Sequence, residues 1–480
     1  MVTKFNKALF ILVILNLASK LALLGWNGAE YTDSIYYLTI WHIGRSKWMP
    51  VYPFLIQFTK LFLHDPTLSG RLTSIIMSTL SILPFYAITK RFYKDRAALY
   101  STLLYIVSPV ITRWSIRVMT EASFAFFILL SLWCLIKWFD NRKGIYGSGF
   151  VAFSGIAALT RPEGIGLLPA ALAFAIYMVC KQKLRALHWI IIGLLPWIFQ
   201  IFWHCKIVGK YGYGAELQGG IHQVTLSKFF SYMLLYPAYL PYIVSPFVFF
   251  FVIYGIYRSI RLKDGDSARK IYHLFMFYTV AAWILGLSFH WAWTTRFMFA
   301  IIALLLMFSG YGISCMGSVR SRKIALTLSV ATSIAFTILV LVCSRGTFED
   351  IRKSSYFIRD NVPPDAKIVS SEIAKIKFWS GRKVSKYNRA KLKPGMYVAL
   401  QNLYCDFEQE MNYLKEKHDV EVVYRKKVTV VPLLSDEMHH RKVKRKDGTI
   451  ALRGSGNRLI SLRGQFSKHR FESAVILIKD

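Results

Sequence analysis

A chain of 480 residues that is 54% hydrophobic, with a mean hydropathy of +0.38, is too apolar to fold as one soluble core and reads as a polytopic membrane protein. Its net charge of +35 divides into +22 for residues 1–344 and +13 for residues 345–480. Much of the first share lies in short clusters between apolar runs, where it sets topology, so the basic excess points to anionic lipid headgroups and lipid phosphates and excludes a nucleic-acid partner.

Apolar runs long enough to cross about 30 Å of hydrocarbon fall near 8–25, 72–89, 97–112, 121–137, 146–160, 164–180, 187–204, 236–257, 271–289, 297–315 and 324–343. They predict about eleven spans. In the first run Asn16 and Lys20 interrupt the apolar sequence, which favours an uncleaved anchor over a signal peptide. The basic clusters Lys90 to Arg96, Lys137 to Lys143, Lys181 to Arg185, Arg258 to Lys270 and Arg320 to Lys323 all fall on one side, the cytoplasmic one by the positive-inside rule. With the Lys4/Lys7 end inside, an odd number of spans places everything after Cys343 outside. The six cysteines are scattered and show neither a disulfide framework nor metal-ligand spacing.

The first outer loop, 26–71, is long. Ile35, Leu38 and Trp41 recur at helical spacing after Asp33, and a second amphipathic run starts at Pro53, so both segments are expected as aromatic-rich helices lying in the membrane interface. By geometry alone they can equally be half-buried caps over the bundle.

Only ten of the 26 carboxylates precede residue 345. Asp95, Asp140, Asp264 and Asp266 sit among cytoplasmic basic residues as solvated partners. The outer ones are Glu30, Asp33, Asp65, Glu121, Glu163 and Glu216, a short list from which any general base must come. Glu121 opens a span just after Arg117, and Glu163 follows Arg161 in the turn Thr160-Arg-Pro-Glu-Gly164. Ionisable groups at that depth are expensive, which makes them functional candidates, with structural pairing of Arg117 with Glu121 and of Arg161 with Glu163 as the plain alternative. The loop 205–235 carries five glycines between 209 and 220 around Tyr211, Tyr213 and Glu216, a composition that suits a lid or an ordinary flexible connection. Arg296 heads a late span with no acidic neighbour in sequence, which suits a phosphate.

The tail, 345–480, alternates apolar runs at 367–371, 396–400, 420–424 and 474–478 with helical stretches at 350–361 and 406–418, and is expected to be a small outward-facing α/β domain. The charge run His439 to Asp447 reads as a solvated loop.

An outer site with carboxylates, arginines and aromatics beside lipid suits glycosyl transfer: arginines hold a lipid phosphate, aromatics stack on sugar rings, and a carboxylate takes a hydroxyl proton. At this point the chain resembles the GT-C superfamily of membrane glycosyltransferases, in its bacterial branch related to protein O-mannosyltransferases and the lipid A aminoarabinose transferase. The similarity rests on Asp33-Ser-Ile-Tyr-Tyr37, on Pro50-Val-Tyr-Pro-Phe-Leu-Ile56, on Arg71-Leu72, and on Arg117-Val-Met-Thr-Glu-Ala122. It continues through Thr160-Arg-Pro-Glu-Gly164, Arg296-Phe297, and Ile358 to Ile368 with Trp379-Ser-Gly-Arg-Lys383. Ser34 stands where that family has a second acid, and Glu121 where it usually has Asp.

The resemblance implies about eleven spans with interfacial helices, a polyprenyl-phosphate-linked monosaccharide as donor, and inverting transfer to a hydroxyl of a lipid, protein or glycan on the outer face of a bacterial inner membrane. Asp33 is then the base, with Glu30 and Glu121 as the other catalytic candidates. Arg117, Arg161 and Arg296 are candidates for the donor phosphate, and Tyr36, Tyr37, Tyr52, Glu163, Tyr211 and Tyr213 for substrate contacts. No cofactor is certain; a divalent metal is admitted, although His42, His64 and His290 show no ligand spacing. A transporter is the rival class, disfavoured by the 46-residue loop at 26–71 and the lack of internal repeats, and an oligosaccharide ligase of similar architecture differs only in donor.

Overall fold

The structure, a computed structural model, describes residues 2–26, 28–39, 48–182, 187–203, 205, 226–261, 267–288, 295–430, 440–444, 450–454 and 469–479. Two compact units divide the chain: Met1–Leu24 with Tyr37–Leu339, and Gly25–Tyr36 with Val340–Asp480.

The first unit is helical. Each apolar run marked in the sequence falls on helix, including Val2–Ala22, Glu121–Asn141, Gly144–Thr160, Leu168–Gln182, Leu187–Trp203, Ser267–Ser288, Phe299–Ser314 and Val319–Ser344. Among the described residues, five helical stretches are long and apolar enough to cross a membrane, or six when a bent pair is included. One stretch, Pro66–Val107, is 42 residues long and does not run straight. Its backbone leaves the helix at Lys94 (φ 70°, ψ 172°), inside the basic cluster that the sequence assigns to an inner turn between two spans. The run read as one span at 236–257 is broken instead. Tyr236–Val244 and Pro246–Ile260 meet at 117°, because Ser245 has φ +85° and Pro246 has no N–H to continue the ladder.

Polar residues dock the first helix. Asn16 donates to Thr79 Oγ1 (2.9 Å) and Lys20 Nζ to Ser78 Oγ (2.8 Å), and both side chains are fully buried. The interruptions in the first apolar run are therefore anchors onto the helix Pro66–Leu80. The helix Phe299–Ser314 is the core of this unit, with residues 299–313 all buried. Glycines allow its neighbours to close on it: a side chain on Gly310 would collide with Ser101, one on Gly312 with the Phe251 carbonyl, and one on Gly255 with the Phe308 carbonyl. Both segments of the first outer loop expected as helices are helical, at Thr32–Thr39 and Val51–Lys60.

The second unit holds a five-stranded mixed sheet in the order β2-β1-β3-β7-β4, formed by β1 (Ile368–Ser370), β2 (Val384–Lys386), β3 (Tyr397–Gln401), β4 (Val420–Val430) and β7 (His469–Ile478). Strands β1, β2 and β3 are parallel, and β7 runs antiparallel to both β3 and β4, with Val398 opposite Ile476. Val398, Leu400, Ala474 and Ile476 pack against Phe407, Met411 and Leu414 of the helix Phe407–Lys417, whose Asp406 caps its first turn. The helix Ile373–Ser380 is capped by Glu372 and ends at Gly381 (φ +67°). The charge run read as a solvated loop contributes β5 (His440–Lys444), which pairs antiparallel with β6 (Ile450–Gly454).

Phe348 precedes the helix Glu349–Asn361 in the left-handed region, at φ 60° and ψ 12°. For an aromatic residue this costs about 1–2 kcal/mol, so packing must hold it there.

Candidate active site

Three chain segments of the first unit converge. Glu121 is the first residue of the helix Glu121–Asn141, where the helix dipole favours a carboxylate, and its side chain is 2% exposed. Arg161 ends the helix Gly144–Thr160 in an extended conformation, and Pro162 opens a 3-10 turn to Leu167. Gly164 makes this reversal possible, since a Cβ there would lie 2.6 Å from the Ala158 backbone. The Tyr278 hydroxyl braces the turn by donating to the Gly166 carbonyl at 2.6 Å. The third segment is the 3-10 turn Thr295–Met298 that carries Arg296.

Arg161 is the hub. Its Nη1 donates to Glu121 Oε1 at 2.5 Å and to Thr120 Oγ1 at 2.9 Å, while Nη2 and Nε reach Glu163 Oε1 and Oε2 at 2.8 and 3.3 Å. The guanidinium is thus committed to two carboxylates, one of them in a fork geometry. Arg296 Nε lies 4.0 Å from Glu121 Oε1, and Nη1 points at the Met119 sulfur, 3.8 Å away. The ring of Phe297 faces both cations, with centroid distances of 5.0 Å to Arg161 and 5.2 Å to Arg296. Its carbonyl accepts from Trp283 Nε1 at 3.1 Å. Glu121 Oε2 is buried and has no hydrogen-bond partner among the described residues.

The expected pairing of Arg161 with Glu163 is present. Glu121 takes Arg161, 40 residues further along the chain, and the sequence showed no sign of this. Arg117 is buried between the helices Pro109–Ser115 and Glu121–Asn141.

Tyr37 and Tyr52 stand edge-on at 5.4 Å. Tyr52 is fully buried, and its hydroxyl bonds Ser74 Oγ (2.7 Å) and the Gly70 carbonyl (3.1 Å), while Ser74 donates to the Met119 carbonyl (3.1 Å). Tyr52 therefore braces the strand of chain leading into Glu121 and has no face open to a sugar. The sequence offered Tyr52 only as a substrate-contact candidate, and its Ser74 partner was not readable.

Glu30, Asp33 and Tyr36 belong to the second unit. Glu30 lies buried in the loop before the helix Thr32–Thr39, while Asp33 is half-buried in its first turn and Tyr36 is half-buried on it. Tyr211, Tyr213, Glu216, His42 and His290 lie outside the described residues. Among the described residues no three His, Cys, Asp or Glu side chains are grouped to hold a metal.

Residues 47–203 match the family described as dolichyl-phosphate-mannose-protein mannosyltransferase. No curated protein matches the chain by sequence. Similar solved structures include ArnT from Cupriavidus metallidurans in the apo state (TM-score 0.58) and bound to undecaprenyl phosphate (TM-score 0.59). Both are 10% identical, with 95% of this chain and 98% of that one covered. The Archaeoglobus fulgidus oligosaccharyltransferase in complex with zinc and sulfate is 14% identical, with a TM-score of 0.54 over 93% of this chain and 73% of that one. All are GT-C enzymes. The chain is a polytopic membrane protein with the fold of the GT-C glycosyltransferases.

Proposed function

We propose that the protein transfers a single sugar, with inversion, from a polyprenyl-phosphate-linked donor to an acceptor hydroxyl on the outer face of a bacterial inner membrane. The observation that carries this reading is the cluster of Glu121, Arg161, Glu163 and Arg296 around Phe297, in which one buried oxygen of Glu121 is left to accept from a bound hydroxyl. The ArnT structure with undecaprenyl phosphate supports a lipid phosphate as the leaving group.

In this reading residues 1–344 form the transferase part, with the loop 26–71, and residues 345–480 an outward domain. Arg296 is the principal phosphate ligand, because Arg161 already serves two carboxylates; Arg117 adds positive charge behind it. Glu121 and Glu163 orient the sugar through its hydroxyls, and Tyr36, Tyr37, Tyr211 and Tyr213 offer aromatic contacts. Asp33 takes the acceptor proton as the new C1–O bond forms on the face opposite the leaving group. The C1–O bond to phosphate breaks in the same displacement, and the polyprenyl phosphate leaves with the electron pair, stabilised by Arg296. The chemistry requires lipid, protein or glycan acceptors to reach this face.

The similarity to an oligosaccharyltransferase favours a second reading, transfer of a whole glycan from the same class of lipid. Purified protein in detergent, offered a panel of polyprenyl-phosphate sugars without any gradient, distinguishes these readings from a carrier. Release of sugar from a monosaccharide donor with inverted product, read by NMR, supports the proposal. Consumption only of oligosaccharide donors moves the function to the second reading, and no consumption at all favours transport.

A further inference from the structure

The start of the first outer loop is gripped at three points by one stretch of the C-terminal unit. Trp26 Nε1 donates at 3.0 Å to the carbonyl of Leu341 in the last turn of the helix Val319–Ser344, a carbonyl that also accepts from Ser344 Oγ at 3.4 Å. The Arg345 guanidinium lies over the Trp26 ring, 4.7 Å from its centroid. Gly28 sits so close to this stretch that a Cβ would be 2.9 Å from the Arg345 carbonyl and 2.7 Å from Glu349 Oε2. The Tyr31 ring meets Phe348 edge-on at 5.4 Å.

Phe348 transmits this grip to the domain core. Lys375 Nζ lies 3.3 Å from the centre of its ring and also donates to the Tyr404 hydroxyl at 2.8 Å, and the Phe471 ring on β7 is 6.0 Å away. Its left-handed backbone, φ 60°, is what turns the chain from the end of Val319–Ser344 into Glu349–Asn361 with the ring toward Tyr31. On the loop side Ala29, Glu30, Tyr31, Ser34 and Ile35 are all at most 3% exposed, whereas Thr32 and Asp33 between them keep partial exposure. The grip therefore fixes the backbone on both sides of Asp33, whose side chain is half-buried.

We propose that Leu341 to Glu349 form a clamp on residues 26–31, so that Trp26, Gly28, Tyr31 and Phe348 are positioning residues for Asp33 and the C-terminal unit is a working part of the transferase. The proposal rests on Asp33 being the base. A base must lie within hydrogen-bond reach of the proton it takes, and a misplacement of about 1 Å costs on the order of a hundredfold in rate without altering donor binding.

Trp26→Ala and Gly28→Ala alter the loop side only and leave the domain core intact. In full-length protein in detergent, amide hydrogen exchange is measured over residues 28–39, with β3 and β7 as folding controls. Turnover and donor dissociation constant are measured with a polyprenyl-phosphate sugar. The clamp predicts exchange over 28–39 faster by about tenfold or more, unchanged protection in β3 and β7, turnover down by about a hundredfold, and a donor dissociation constant within about twofold of wild type. Arg345→Ala should behave like Trp26→Ala, and the double variant should fall no further than either alone, as expected of two groups acting through one contact. Unchanged exchange over 28–39 overturns the clamp whatever the activity. Faster exchange with unaltered turnover overturns the positioning role. A wild type that releases sugar from no donor removes the reading of Asp33 as base, and exchange then decides the clamp alone.

Discussion

Arg161 and Arg296 stand on the same Phe297 ring but are given different roles by their surroundings, and replacing each with alanine separates them. Arg161 has a side chain only 9% exposed and gives hydrogen bonds to Glu121, Thr120 and Glu163. Its removal strands a carboxylate that is 2% exposed and another that is 17% exposed. Breaking a buried pair from one side costs about 3–5 kcal/mol, a large part of the ~5–15 kcal/mol that holds a typical domain together. Arg296 is 19% exposed and 4.0 Å from Glu121, so its removal disturbs the Glu121 carboxylate less than removal of Arg161 does. In the role we propose for it, Arg296 gives the donor phosphate a charge-assisted hydrogen bond worth about 1.5–3 kcal/mol, so Arg296→Ala should weaken donor binding roughly 10- to 150-fold. Thermal unfolding followed by tryptophan fluorescence, with binding of undecaprenyl phosphate to the same preparations, reads both quantities. Arg161→Ala should unfold at markedly lower temperature, and Arg296→Ala should fold normally and bind weakly. A stable Arg161→Ala with lost binding, beside a destabilised Arg296→Ala with intact binding, refutes this assignment.

Two further outcomes follow from the packing and from one buried acid. Burial pushes the Asp350 carboxyl, at the start of Glu349–Asn361, up from 3.8 to about 7, because the ionised form loses hydration; nearby Lys375 acts in the opposite direction. A raised folded pKa means that the native state holds a proton the unfolded chain releases. The associated stability is thus complete below the unfolded value and is lost as pH rises through about 7. The stability of the C-terminal unit should fall between about pH 4 and about pH 7, on the order of a few kcal/mol at most and read as a lower unfolding temperature, and Asp350→Asn should flatten that slope. An unchanged slope in the variant would assign the dependence to another group. In the helical unit, Gly312→Ala places a methyl group against the Phe251 carbonyl and should lower stability by about 1–3 kcal/mol, measured as the unfolding midpoint in detergent; a neutral result would show that the two helices can part without cost.

The helices of the first unit were legible because crossing hydrocarbon needs long apolar runs, and hydropathy reports these directly. Even the break at Lys94 lies where a basic cluster marked a turn. The break at Ser245 was missed because Pro246 and its neighbours remain apolar, and mean hydropathy is blind to a positive φ. In the tail, the helices 350–361 and 406–418 and the apolar strands lie within a few residues of their expected places. β2 is three residues long, and β5 is hidden under a charge run that carries little pattern. Adjacency revealed Arg161 with Glu163, whereas pairing of Arg161 with Glu121 depends on how two helix ends meet. The polarity of Asn16 and Lys20 was visible, but their partners Thr79 and Ser78 were not. Least legible was the membership of residues 25–36 in the C-terminal unit, for Trp26 and Leu341 are 315 positions apart.

We propose that Asp33 takes a proton from an acceptor hydroxyl while a polyprenyl phosphate leaves. It is tested most directly by the release of labelled sugar from a polyprenyl-phosphate donor by wild-type protein and by Asp33→Asn, which changes charge and almost no volume. Release by the wild type alone is expected, with equal donor binding and equal thermal stability in the two proteins. Retained turnover in Asp33→Asn would contradict it and transfer the base role to Glu30 or Glu121.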